Sequence, residues 1–167
     1  MNGMEIERKF LFEKLPDEQP IRVIRIEQGY ICTDPVIRFR HKTVYGPEGP
    51  CGATLAKEEW VLTVKGSGLL AREEYELALT QGQFDNLQKR RIGNLIEKTR
   101  YCYALPGGLT AEADVFAGAQ TGLLMVEVEF PDIAASDAFV PPVWFGKDVT
   151  GDLRYHNSNM IGQETEK

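Results

Sequence analysis

Eight separate segments of this chain alternate charged or polar side chains with hydrophobic ones at a period of two. They are Met4–Phe12, Arg22–Cys32, Val36–Arg40, Trp60–Lys65, Arg72–Leu79, Asn94–Leu105, Thr110–Phe116 and Leu123–Phe130. Successive side chains on a strand point to opposite faces, so residues i, i+2 and i+4 share one face. A helix of period 3.6 would scatter such a pattern, and the β-branched and aromatic content of these segments also favours strands. Eight strands with few helices predict a mainly β, α+β fold: a closed eight-stranded antiparallel barrel with a few flanking helices.

The segments between the strands are short. His41 to Glu59 is the exception: Gly46, Pro47, Gly49, Pro50 and Gly52 punctuate it, and it reads as an exposed loop between two strands. Gly66-Ser67-Gly68 reads as a hairpin turn. Thr80 is placed to cap a helix over Gln81–Arg91, with Phe84 and Leu87 on one face. Pro131 is placed to open a short helix through Phe139, and a last short helix is expected over Asp152–Ile161. At 167 residues the chain predicts one domain over 1–167.

Charge placement carries the functional information. One face collects Glu5, Glu7 and Lys9; others collect Arg38 with Arg40, Arg72 with Glu74 and Glu76, Lys98 with Arg100, Glu112 with Asp114, and Glu127 with Glu129, while Lys65 stands alone. The opposite faces are mostly apolar, with Arg8, Glu73 and Glu97 as exceptions. For any single strand, a solvated sheet face explains the alternation. It explains the set less well, because like-charged pairs recur on separate strands, and crowded like charges are unstable without an opposite charge between them. A polyphosphate with a divalent metal fits both kinds of pair. Arg and Lys bind phosphoryl oxygens, and carboxylate clusters bind hard cations such as Mg²⁺ or Mn²⁺.

Net charge does not oppose that reading. The chain is acidic overall, at −6. The candidate set, with Arg154 and Glu112 included, holds eight basic and eight acidic residues. Taking those from 19 Lys and Arg and 25 Asp and Glu leaves 11 against 17 elsewhere. The acidic balance does argue against a nucleic-acid partner, which needs a basic face. No apolar run approaches the ~20 residues that cross a bilayer, so no membrane partner is expected. The polar, acidic start Met1-Asn2-Gly3-Met4-Glu5 predicts no secretory signal. Three scattered cysteines, Cys32, Cys51 and Cys102, suit a reducing, cytoplasmic setting.

Taken in order, the motifs are recognisable. Glu5-Ile6-Glu7-Arg8-Lys9-Phe10 is an ExExK opening. Gln28-Gly29-Tyr30, Arg38-Phe39-Arg40, Leu62-Thr63-Val64-Lys65, Arg72-Glu73-Glu74-Tyr75-Glu76, Glu97-Lys98-Thr99-Arg100-Tyr101, Asp114-Val115-Phe116, Val126-Glu127-Val128-Glu129-Phe130 and Trp144-Phe145-Gly146 follow, then Val149-Thr150-Gly151-Asp152 to Arg154-Tyr155. This resembles the CYTH superfamily, the triphosphate tunnel metalloenzymes, over nearly the whole chain, and looks most like its short bacterial inorganic triphosphatases. The resemblance implies a barrel with a hydrophilic tunnel, an Mg²⁺ or Mn²⁺ requirement and hydrolysis of a small-molecule triphosphate. By position it assigns metal binding to Glu5, Glu7, Glu127 and Glu129, with Glu74, Glu76 and Asp114 as helpers. It assigns phosphate binding to Lys9, Arg38, Arg40, Lys65, Arg72, Lys98, Arg100 and Arg154. It leaves a homodimer open. The loop after Arg40 is longer than the short triphosphatases lead one to expect.

The sequence holds no Gly-x-Ser-x-Gly, no Cys/His pairing and no Walker motif, which favours direct attack by water on the triphosphate. Lys98, beside Arg100, is the candidate for activating that water, because a neighbouring cation lowers a lysine pKa; phosphate binding alone is the equal alternative. Tyr30 is a candidate to contact substrate or help gate the site; ordinary packing is the alternative. His41 and His156 are far apart and form no metal-ligand pattern. Two other activities suit the same residues: a class IV adenylate cyclase, or hydrolysis of an organic triphosphate such as thiamine triphosphate or a nucleotide. A non-catalytic polyphosphate sensor is the third alternative.

Overall fold

The computed structural model describes residues 3–52, 55–67 and 71–162. Eight strands form one closed antiparallel barrel: β1 (Gly3–Leu11), β2 (Arg22–Thr33), β3 (Val36–Tyr45), β4 (Leu55–Lys65), β5 (Ala71–Ala78), β6 (Ile92–Ala104), β7 (Thr110–Ala117) and β8 (Leu124–Glu129). Round the barrel they run β1-β5-β4-β3-β2-β6-β7-β8. All eight expected strands are present. Closure removes every free sheet edge, and it also gives the sheet an inside and an outside. Register then decides which residues face in. Glu7 lies opposite Glu129 and Lys9 opposite Glu127. Glu5 lies opposite Arg72, Lys65 opposite Glu74, and Arg100 opposite Asp114. A slip of one residue would turn all of these outward.

The hydrophobic core is therefore outside the barrel wall. Ile6, Phe10, Phe12, Ala111, Ala113, Val126, Val128 and Phe130 are buried there against Phe145, with Phe139 and Trp144 packed on the cluster. The short helix α2 (Ile133–Ala138) lies beside this layer, and Phe130 and Phe139 meet edge to face at 5.2 Å. A second apolar cluster closes one end of the barrel: Tyr30, Ile96, Phe116 and Met125 are buried with Ile161 of the C-terminal segment. The interior is thus a blind channel, and its charged part lies above an apolar floor.

Three expectations are corrected. The stretch His41–Glu59 is largely strand: β3 continues to Tyr45 and β4 begins at Leu55, with Lys42 paired to Glu59 and His41 to Trp60. The β-branched and aromatic run Thr43-Val44-Tyr45 supports that extension, and the Gly/Pro-rich middle is irregular. The second helix begins after Asp132, whose carboxylate accepts from Ala135 N at 2.7 Å, so Asp132 and not Pro131 sets its start. The last helix is two 3₁₀ turns, Leu153–Tyr155 and Asn157–Asn159. Asn157, Ser158 and Asn159 compete with the helical backbone for hydrogen bonds, which keeps such a run short.

The helix α1 (Gln81–Gln88) is capped as expected. Thr80 Oγ1 accepts from Gln83 N while Gln83 Oε1 accepts from Thr80 N. It ends at Gln88 instead of Arg91, and it presses Phe84 edge-on against Phe39 at 5.3 Å. Gly66 N donates to Glu73 O at 2.8 Å, in keeping with a turn there; Gly68 lies outside the described residues.

Candidate active site

The inward faces enclose a cavity of about 320 Å³ lined almost wholly by charge. It brings together Lys9, Arg38, Arg40, Lys65, Arg72 and Arg100 with Glu5, Glu7, Glu74, Glu76, Glu127 and Glu129, and Tyr30 also borders it. The charge is graded along the axis. Lys9, Arg38 and Lys65 are buried, while Glu76 and Glu129 are exposed at the open end. Glu76 and Glu129 thus stand at the mouth, while Lys9, Arg38 and Lys65 lie deep beside Glu5, Glu7 and Glu127.

Most of the deep charges are already paired. Lys65 Nζ lies 2.6 Å from Glu5 Oε2 and 2.9 Å from Glu74 Oε2, the latter within ion-pair distance but outside hydrogen-bonding geometry. Lys9 Nζ lies 3.5 Å from Glu127 and 4.0 Å from Glu7. Arg72 Nε donates to Glu5 at 3.4 Å. Arg100 forks onto Asp114 at 2.7 and 2.9 Å and also contacts Glu112. Arg38 and Arg40 differ: both are buried and neither forms an ion pair among the described residues. Arg40 Nε donates to Gln28 Oε1 at 3.0 Å, Gln28 Nε2 donates to the Tyr30 hydroxyl at 3.0 Å, and Arg38 Nε has no partner among the described residues. Gln28, part of the Gln28-Gly29-Tyr30 motif but assigned no role there, holds both a guanidinium and the tyrosine in place. Strand β2 shifts register on either side of Tyr30, a feature that re-aims a side chain.

The electrostatics follow from crowding. Burial and the Glu127 charge push the Glu7 carboxyl up, and burial with Glu5 and Glu112 does the same to Glu129. Burial opposes ionisation of Glu127 as well, but Lys9, Arg100 and Lys98 outweigh it and hold that carboxyl well below the usual range. Burial and then Arg38 pull Lys65 down, and burial with Arg38 and Arg100 brings Arg40 to about 10. Lys98 falls to about 8, with burial as the leading cause and Arg100 a smaller one. The sequence argument named the right direction but made the neighbouring cation the main cause.

Lys98 and Asp114 are on the inward face but do not border the cavity. Their side chains are fully buried and lie 2.5 Å apart, with the Phe116 ring 5.2 Å from Nζ. Arg154 is a correction of position: its side chain is 78% exposed and pairs with Asp152 at 2.6 Å, away from the cavity. Five lining residues escaped the sequence reading: Val36, Lys42, His156, Asn157 and Ser158. Val36 stands two residues before Arg38 and Lys42 two beyond Arg40, so parity along that strand would have found both. The other three sit on irregular backbone, where no periodic signal exists.

The carboxylates supply hard oxygen donors of the kind Mg²⁺ or Mn²⁺ prefers, and the raised Glu7 and Glu129 mark an excess of negative charge that a cation would relieve. No three His, Cys, Asp or Glu groups converge on one point among the described residues, because Lys9 and Lys65 engage the carboxylates instead.

Comparison with known proteins agrees with this geometry. No family model matches the chain. An inorganic triphosphatase of Nitrosomonas europaea is 40% identical over 159 residues, which cover 93% of this chain and 95% of that protein. An inorganic triphosphatase of Acetivibrio thermocellus is 34% identical over 161 residues, covering 95% and 94%. A crystal structure of an inorganic triphosphatase superposes with a TM-score of 0.64 at 38% identity, covering 94% of this chain and 93% of that one. A protein from Pyrococcus horikoshii shares the fold, with a TM-score of 0.54 at 22% identity over 78% of this chain and 81% of that one. With relatives matched over nearly the whole of both chains, and the recurring charged pairs gathered inside one closed barrel, the chain belongs to the CYTH superfamily, the triphosphate tunnel metalloenzymes.

Proposed function

We propose that this chain, as one domain over 1–167, hydrolyses inorganic triphosphate to pyrophosphate and phosphate by direct attack of water, with Mg²⁺ or Mn²⁺ bound. The observation that carries the reading is the pair Arg38 and Arg40: two buried guanidinium groups, without ion pairs among the described residues, inside a cavity whose other cations are held by carboxylates. A buried charge without a counterion is costly, so such a pair fits a polyanionic ligand. The 40% identical relative carries the name of that activity.

Lys9, Arg38, Arg40, Lys65, Arg72 and Arg100 hold phosphoryl oxygens, with Lys98 adding charge from behind. Glu5, Glu7, Glu127 and Glu129 hold metal, helped by Glu74, Glu76 and Asp114. When bound, the metal neutralises charge on the phosphate chain and its leaving pyrophosphate. The chain's own part begins with an exchange of partners. As phosphates enter, Lys65 turns from Glu5 and Glu74 to phosphoryl oxygen, and Lys9 turns from Glu127 and Glu7. The carboxylates so released become available as donors. Phosphoryl transfer needs positioning and charge neutralisation above all, which six convergent cations supply. Lys98 activates the water or only stabilises phosphate charge; Tyr30, fixed by Gln28 and bordering the cavity, contacts substrate.

A base-binding pocket would be needed for a cyclase. Val36 and Tyr30 are the apolar or aromatic residues in the cavity lining among the described residues, which favours an inorganic substrate. The three cysteines are free, which supports a reducing, cytoplasmic setting. No described helix is long and apolar enough to cross a membrane. The test is one assay: purified protein with Mg²⁺ or Mn²⁺ and, separately, inorganic triphosphate, ATP and thiamine triphosphate, reading released phosphate and cyclic AMP. Phosphate from inorganic triphosphate at the highest kcat/KM is expected. Cyclic AMP as main product, or tight triphosphate binding without turnover, would overturn the assignment.

A further inference from the structure

Beyond Asp152 the chain crosses the closed end of the barrel in its two 3₁₀ turns. It is anchored on the far side: Asn94 N donates to Ile161 O at 2.6 Å and Gln120 Nε2 to Met160 O at 2.8 Å. On the near side Lys9 Nζ reaches Tyr155 O at 3.4 Å. The crossing sets His156 and Asn157 into the cavity wall, where they are 6% and 9% exposed. Lys9, Arg72 and Glu7 act on the His156 ring through their charges. Among the described residues its Nε2 has no partner, and neither has Asn157 Oδ1.

An unpaired buried polar atom costs about 1–3 kcal/mol, so two on adjacent residues facing one cavity call for a ligand. Their chemistry is complementary to that of their surroundings. A neutral imidazole offers a lone pair on one ring nitrogen, as does an amide on its oxygen. The lysines and arginines around them serve anionic oxygens; these two acceptors serve an O–H donor.

We propose that His156 and Asn157 contact substrate, accepting a hydrogen bond from an O–H group at the phosphoryl end of the bound triphosphate. That group is the hydroxyl of a protonated terminal phosphoryl group or the water that attacks it. The inference rests on the triphosphatase reading above and adds the residues at the channel's closed end to the site.

The chain has two histidines, and His41, held on the outer wall between Glu27 and Glu58, is an internal reference. Imidazole NMR of the full chain with inorganic triphosphate added, metal-free, is expected to shift the His156 Nε2 resonance and leave His41 unmoved. Kinetics separate the two donors. His156→Phe keeps a ring and removes its nitrogens, and should lower kcat/KM about 3–10-fold, the range for one hydrogen bond. A loss in kcat alone identifies the water; a rise in KM identifies the phosphoryl hydroxyl. His156→Gln, which restores a polar terminus, should recover most of the loss at an unchanged Tm. Wild-type kinetics in His156→Phe, or a His156 resonance that stays put while triphosphate binds metal-free to a protein that hydrolyses it once metal is added, would overturn the contact alone. If His156→Phe does not fold, the NMR shift and His156→Gln decide. A shift of His156 without hydrolysis by the wild-type protein would instead sink the triphosphatase reading and keep the contact.

Discussion

Lys98 Nζ lies 2.5 Å from Asp114 Oδ2, and neither side chain touches solvent. Asp114 is shared, since Arg100 takes both of its oxygens as well. One buried carboxylate thus compensates two buried cations. That is why Lys98 is pulled down to about 8 in spite of the short contact: its desolvation outweighs half a counterion. Asp114→Asn leaves Lys98 buried without its counter-charge, while Arg100 keeps Glu112 and Glu127, and should cost about 3–5 kcal/mol in denaturant unfolding. Adding Lys98→Met removes the orphaned charge, so the double variant should be more stable than Asp114→Asn alone. An Asp114→Asn protein as stable as wild type would show that the pair contributes nothing to the fold.

The role of Lys98 is read from a split in kinetic constants. If it activates water, Lys98→Ala should lower kcat by about 10²–10⁴-fold, the range for general acid–base catalysis, with KM little changed. Comparable losses in kcat and in affinity for triphosphate would make it a phosphate ligand only.

Arg38 and Arg154 should behave as opposites although the motif pattern grouped them. Arg38 is buried and without an ion pair, so Arg38→Met should remove about 2–5 kcal/mol of transition-state binding. The same change deletes an uncompensated buried charge, so Tm of the free protein should rise. Arg154→Ala should leave kcat/KM within about twofold, since loss of an exposed pair moves little. Its visible effect is on Asp152, which Arg154 holds at about 2. An aspartate depressed in the folded state contributes stability above its ordinary value of about 3.9, lost as pH falls toward its folded value. In Arg154→Ala the Asp152 carboxyl should titrate higher by NMR but still below that ordinary value, because the residue-154 backbone N–H keeps its bond to it, and the pH dependence between about 4 and 2 should flatten in part. A large kinetic loss in Arg154→Ala would mean that Arg154 swings into the channel.

Glu5 and Lys65 test the exchange of partners. Glu5→Gln removes a carboxylate proposed to hold metal and also frees Lys65 and Arg72 from it. Metal-dependent turnover should fall by about 10²-fold or more. Metal-free binding of triphosphate, measured by calorimetry, should tighten. Weaker metal-free binding would show that Glu5 positions Lys65 instead of competing for it.

How much of this was legible in the sequence depends on the kind of backbone. Period-two alternation located all eight strands and put Glu5, Glu7, Glu127 and Glu129 on one face, because the face of a strand residue depends only on parity. The same rule placed Arg38 and Arg40, and would have placed Lys42 had glycine and proline beyond it not been allowed to end the strand early. It failed for Arg154 and His156. Both lie in the 3₁₀ segment, where direction is set by anchors as remote as Asn94 and Gln120. Alternation also could not distinguish a channel open at both ends from one stopped by Ile161, since that contact joins segments far apart in the chain.

Gly29 is the residue that lets Tyr30 and Gln28 face the channel while helix α1 rests on the outside. It points outward from β2, and the Phe39 ring lies across it: a Cβ there would meet Phe39 Cζ at 2.3 Å. Phe39 cannot retreat, because Phe84 of α1 packs on its other side at 5.3 Å. Gly29→Ala must therefore displace the ring or bend the strand, a form of overpacking worth about 1–3 kcal/mol. Because the bend would fall between Gln28 and Tyr30, kcat should drop along with Tm, unlike an ordinary surface glycine change. Phe39→Leu in the same protein vacates the space, so the double variant should regain stability relative to Gly29→Ala, measured by thermal unfolding. If Phe39→Leu worsens Gly29→Ala instead, the close approach of ring and backbone is not what requires glycine here.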